Sequence, residues 1–70
     1  MQIEQVASSH VKAIAYDRKE RMLYVQFHSG AAYAWDGISK EVYYQFLAAS
    51  SKGQFLHDVI RPAYGDGDKM

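Results

Sequence analysis

Arg61 is the residue of this 70-residue chain best equipped to hold a ligand. Its guanidinium is planar, permanently charged and carries a fork of donors that matches the oxygens of a phosphate or carboxylate. It follows an apolar run and precedes Pro62 and Tyr64. There it would either face a ligand or be taken up by the last helical carbonyls or by Asp58, three residues earlier. Lys12, Arg18, Lys19 and Lys52 are the further cations a phosphate backbone would use, although Asp17 and Glu20 lie among Arg18 and Lys19 and offset their field. Ser51 and Gly53 stand where a helix would begin, and they would either cap it or leave N–H groups free for an anion.

Other chemistries lack their residues. His10, His28 and His57 are widely separated and have no helical ligand spacing, so no metal site is expected. There is no Gly-x-Ser-x-Gly elbow, no glycine-rich phosphate loop and no cysteine nucleophile. The expectation is a non-catalytic binding module without a cofactor. Eight basic and eight acidic residues give a net charge of zero, which argues against a nonspecific nucleic-acid coat protein. The absence of cysteine fits a reducing cytoplasm, and no apolar run approaches the roughly 20 residues that span a bilayer. A cytoplasmic location without membrane contact is therefore expected.

The elements that must position these residues read as α+β. A chain this short buries only about 60% of its unfolded surface, so the aromatic residues, 14% of the chain, must fill a small core. Residues 1–9 are mostly polar, with Ile3 and Val6 the only sizeable side chains able to dock, and read as an irregular lead-in. Alternation predicts strands over 11–16, 22–28 and 31–35, joined into a three-stranded antiparallel meander. Helical periodicity then predicts two helices, over 39–50 and 52–61, packed on one face of the sheet. Ser39 and Ser51 would be their N-caps, and Pro62 would end the second. Residues 10–64 form the single expected domain. Residues 65–70 read as a mobile tail.

The hairpin at Ser29-Gly30 decides which way the aromatic residues face. A two-residue loop would pair His28 with Ala31 and put Tyr24, Gln26, Tyr33 and Trp35 on one face, a platform suited to stacking on single-stranded RNA. Serine fits neither of the turns this loop requires. A three-residue loop needs only a type I turn at His28-Ser29 and Gly30 in the left-handed region as a bulge. Phe27 then opposes Ala31, Val25 opposes Tyr33 and Leu23 opposes Trp35. That register is expected, with the large side chains inward and Tyr24, Gln26, Ala32 and Ala34 outward.

Taken together, these residues resemble the KTSC domain, named after a segment at the C-terminus of some lysyl-tRNA synthetases. The resemblance runs through Ser8-Ser9, Ile14-Ala15-Tyr16-Asp17, then Leu23, Val25, Phe27, Gly30, Tyr33 and Trp35. It continues through Ala49, Ser51, Gly53, Phe55, Ile60, Arg61 and Tyr64. The central Tyr-x-Tyr of the family appears here as Tyr33-Ala34-Trp35, so the second phenolic hydroxyl is missing. The resemblance implies a bacterial or phage protein, and attachment to a synthetase implies structured RNA such as tRNA as the partner. Arg61, Lys12, Arg18, Lys19 and Lys52 are the expected contacts. The alternative is a protein-interaction or homo-oligomerisation module that uses the open sheet face, through Tyr24, Ala32 and Ala34, or an edge strand.

Overall fold

The computed structural model describes residues 2–5 and 9–70. They form one antiparallel sheet of five strands in sequence order: β1 (Gln2–Gln5), β2 (Val11–Asp17), β3 (Met22–Phe27), β4 (Ala32–Trp35) and β5 (Asp68–Lys69). Helix α1 (Lys40–Ala48) and a second helical segment, α2 (52–64), lie between β4 and β5. The expected meander is its centre, and the expected pair of helices covers one face.

The β3–β4 turn takes the three-residue form. Gly30 has φ +96°, its N–H bonds to the Phe27 carbonyl at 3.0 Å, and the Phe27 N–H bonds to the Ala31 carbonyl at 2.8 Å. Leu23 therefore faces Trp35, and Val25 faces Tyr33. Leu23, Val25 and Trp35 are buried against Ile38, Tyr43, Phe46, Leu56 and Ile60, with Phe27 and Tyr33 packed at the margin. The exposed aromatic platform of the alternative register does not form.

On β2, Val11 and Ile14 both point into this core although they are three residues apart. A bulge reconciles them: Val11 pairs with Phe27 and Ala13 with Gln26, so Lys12 is the extra residue and the parity shifts by one. Tyr16, 1% exposed, stacks on Tyr43 at 4.4 Å and donates its hydroxyl to the Ile38 carbonyl at 2.5 Å. Ser39 caps α1 by accepting the Val42 N–H, and Ser51 caps α2 by accepting the Gln54 N–H.

Three expectations are corrected. The lead-in is not irregular throughout: Gln2–Gln5 pairs with β2, and Ile3 opposite Ala15 is 67% exposed rather than docked in the core. Val6 and Ser8 lie outside the described residues. The stretch 65–70 is not a loose tail, because Asp68 and Lys69 pair with Ala34 and Tyr33. Trp35 holds it there, donating its indole N–H to the Gly65 carbonyl at 2.8 Å. Pro62 does not end the second helix. The N–H of Arg61 reaches back five residues to Leu56, which makes Leu56–Ile60 a π turn, and α-helix resumes over Arg61–Tyr64. Proline lacks a donor and crowds the carbonyl four residues before it, and a wider turn just upstream accommodates both defects.

Gly67 has φ +80°, and a Cβ there would stand 2.6 Å from Trp35 Cε2. Gly67→Ala is expected to cost about 1–3 kcal/mol, the usual penalty for overpacking. Urea denaturation measures the loss, and faster amide exchange at Asp68–Met70 would show that the β5 docking is what fails.

Candidate functional site

A cleft of about 410 Å³ opens between the exposed face of α2 and the start of β2. Ser51, Gly53, Gln54, His57 and Arg61 line it from the helix, and Ser9, His10 and Phe27 line it from the sheet. The β-strand side is fixed by the His28 N–H bonding to the His10 carbonyl at 3.0 Å. Ser9 Oγ lies 3.0 Å from His10 Nδ1. The His10 ring sits over Gly53, where a Cβ would make ordinary van der Waals contact with it at 3.7 Å.

Gly53, His57 and Arg61 recur every four residues. In an uninterrupted α-helix that row drifts around the axis, and the π turn, with an extra residue per turn, counters the drift. Buried Leu56, which also lines the cleft, and buried Ile60 anchor the helix in the core. The same irregularity that passes Pro62 therefore holds Arg61 in the cleft.

Arg61 does not pair with Asp58. The Asp58 carboxylate accepts from Gln54 Nε2 at 2.7 Å and lies 3.0 Å from His57 Nδ1. Arg61 makes no side-chain hydrogen bond or ion pair with a described residue, and its guanidinium is exposed. The hydrogen bond from His57, then that from Gln54, holds the Asp58 carboxyl below its ordinary value.

The other expected cations do not join Arg61. Lys12 is the exposed bulge residue of β2. Arg18 and Lys19 lie in the β2–β3 turn at the opposite end of that strand, where Asp17 Oδ1 accepts the Lys19 and Glu20 N–H groups. Lys52 donates to the Ala49 carbonyl at 2.5 Å and so closes the end of α1. Sequence reasoning missed His10, Gln54 and His57 as neighbours of Arg61. One signal was present: Ser9, Phe27, Ser51, Gly53 and Arg61 all carry the family resemblance, and all line this cleft.

On the outer sheet face Tyr24 pairs with Ala34, and Ala32 with Gln26, as expected. Ala34 is only 7% exposed, however, so of the three residues named for a contact it offers almost no surface. Exposed Ile3 and Met70 flank a shallow depression of about 270 Å³ there. No helix is long and apolar enough to cross a membrane among the described residues.

An antiparallel sheet roofed on one face by two helices, with a cleft where the second helix meets the start of β2, defines a small α+β domain. The chain belongs to the KTSC domain family, whose profile matches residues 7–64. A protein of Tsukamurella paurometabola is 34% identical over 62 residues, covering 89% of this chain and 92% of its own. A protein of Stutzerimonas stutzeri is 33% identical over 57 residues, covering 81% of this chain and 80% of its own. The crystal structure of a KTSC domain protein from Yersinia pestis superposes with a TM-score of 0.83 at 35% identity, covering 90% of this chain and 89% of that one.

The Asp58 shift carries a stability consequence whose sign is fixed. A carboxyl with a folded-state pKa below its unfolded value stabilises the fold above the unfolded pKa, and that contribution is lost as pH falls through the folded one. Carboxyl NMR titration is expected to place Asp58 below an ordinary aspartate, and Gln54→Ala to move it upward. An unchanged value in the variant would remove Gln54 as a cause.

Proposed function

We propose that this KTSC domain is a non-catalytic RNA-binding module and that the cleft lined by Arg61 receives a phosphodiester of structured RNA such as tRNA. The observation that carries the reading is the pairing around Asp58. With that carboxylate occupied by Gln54 and His57, Arg61 lines a cleft whose walls are the Ser9 and Ser51 hydroxyls, the His10 and His57 imidazoles, Gln54, and the apolar Phe27 and Leu56. Guanidinium and hydroxyl donors suit phosphate oxygens, and a partly exposed aromatic edge beside them suits a base. In this reading the contact is local. Lys12, Arg18, Lys19 and Lys52 supply at most a diffuse field, since none of them lines the cleft.

Amide and aromatic NMR titration with tRNA, with heparin as the control polyanion, tests it. Shifts are expected at Ser9, His10, Ser51, Gly53, His57 and Arg61, with affinity falling only gently as salt rises, as a single phosphate contact dictates. Arg61→Ala is expected to weaken binding on the order of tenfold, the loss of a charge-assisted hydrogen bond, while Lys19→Ala changes it little. Affinity no better than that of an unrelated neutral protein at low salt would overturn the reading.

One observation favours a second reading, a module for protein contact or self-association. The outer sheet face has a floor of alanines, with Tyr24, Ile3 and Met70 around it. Light scattering across a concentration series is expected to show a mass that rises with concentration and that Tyr24→Ser abolishes. A constant monomer mass up to millimolar concentration argues against self-association through this face.

A further inference from the structure

A second cationic hollow lies at the other end of the sheet. Its volume is about 260 Å³, and Tyr16, Arg18, Arg21, Ser39, Lys40 and Glu41 line it. We propose that this hollow, between the β2–β3 turn and the start of α1, binds the doubly charged phosphoryl group of a phosphate monoester.

Charge is the first argument. Three cations and one carboxylate line the hollow, and with Asp17, Lys19 and Glu20 of the same turn counted the local surplus is one positive charge in a chain whose net charge is zero. None of Arg18, Arg21 and Lys40 has a side-chain hydrogen bond or ion pair with a described residue, Glu41 included. A phosphate monoester carries about −1.5 to −2 near neutral pH, against −1 for a diester, and so gains more from the three lining cations than a diester does.

The floor of the hollow is rigid and already satisfied. The Tyr16 hydroxyl is bonded to the Ile38 carbonyl, and the Ile38 N–H returns a bond to the Arg21 carbonyl at 3.0 Å. Burial raises the Tyr16 pKa, and the nearby charges of Arg21 and Arg18 pull it back, which places both guanidiniums within electrostatic reach of that floor. Ser39 Oγ accepts the Val42 N–H, so its own proton is available to donate.

The backbone supplies the third argument. Arg21 has φ +56°, the one positive φ on a non-glycine residue among the described residues. Glycine or asparagine would hold that position with less strain. An arginine there places a guanidinium at the mouth of the hollow at a conformational cost, the combination found where local strain serves a site. The hollow shares no residue with the Arg61 cleft, so this proposal stands apart from the RNA reading.

Amide NMR titration of the whole chain with inorganic phosphate, adenosine 5′-monophosphate and adenosine 3′,5′-cyclic monophosphate, at matched ionic strength, tests it. Saturable shifts are expected at Arg18–Arg21 and Ser39–Glu41 with the two dianions, and far weaker ones with the cyclic monoanion. A response to inorganic phosphate alone identifies the free ion as the ligand, and a response to both dianions identifies the phosphoryl group of a larger molecule.

Arg21→Gly is expected to lower affinity on the order of tenfold while melting no lower than the parent chain, because glycine relieves the turn. Lys40→Gln, at an exposed helical position, is expected to weaken binding without touching that turn. No saturation at the hollow, equal response to monoester and cyclic diester, or full affinity in both variants would overturn the proposal.

Discussion

The bulged turn at Gly30 is the constraint from which the rest of the structure follows. Glycine at φ +96° lets the Phe27 amide close onto Ala31, and that single pairing fixes the parity of both strands. One residue of slip would send Leu23, Val25, Tyr33 and Trp35 to different faces. With the parity set, one face of the sheet is large and apolar and must be roofed, and the other is floored by alanines. The helices supply the roof through Tyr43, Phe46, Leu56 and Ile60. Trp35 then lies where its indole can reach the carbonyl of Gly65 and recruit the last strand. A local backbone preference is in this way propagated to the far edge of the sheet.

A second fastening joins the two layers. Tyr16 from the sheet lies flat on Tyr43 from α1, and its hydroxyl is satisfied by the Ile38 carbonyl just before that helix starts. A buried phenol left without a partner is costly, so this bond specifies where α1 begins as well as stabilising it. The Tyr43 hydroxyl is buried without a hydrogen-bond partner among the described residues, and burial raises the pKa of both phenols. The cost of that one unsatisfied group is set against the area that two stacked rings bury.

The meander, both N-caps and the inward register were legible because each rests on local chemistry: alternation, a serine hydroxyl, a glycine in a turn. The parts that were not legible depend on partners distant in sequence. Gln2–Gln5 has one sizeable apolar side chain and that one faces outward, so its pairing with β2 leaves no mark in the pattern. Asp68 and Lys69 carry no strand signal, and their order depends on partners thirty or more residues earlier, the Trp35 indole on Gly65 and the β4 edge from Ala32 to Ala34. Pro62 misled for a different reason. It is a reliable stop for an α-helix, but a π turn immediately before it changes which carbonyl would need its missing donor. Arg61 could be singled out from its type and position, whereas its freedom from Asp58 depended on where Gln54 and His57 pointed.

The same dependence on three dimensions explains why five cations that look like one site in sequence are not one. Val11 and Phe27 mark one end of β2, beside the Arg61 cleft, and Asp17 and Met22 mark the other, beside Arg18 and Arg21. Six residue steps of strand separate them, about 20 Å. The screening length at physiological ionic strength is about 8 Å, so charge at one end contributes little to potential at the other. A neutral chain arranged in this way cannot gather a polyanion by its overall field. Whatever it holds must be held by local donors in fixed geometry. In the RNA reading proposed for the Arg61 cleft, the pairing of the Asp58 carboxylate with Gln54 and His57 therefore matters more than the number of lysines and arginines the chain carries.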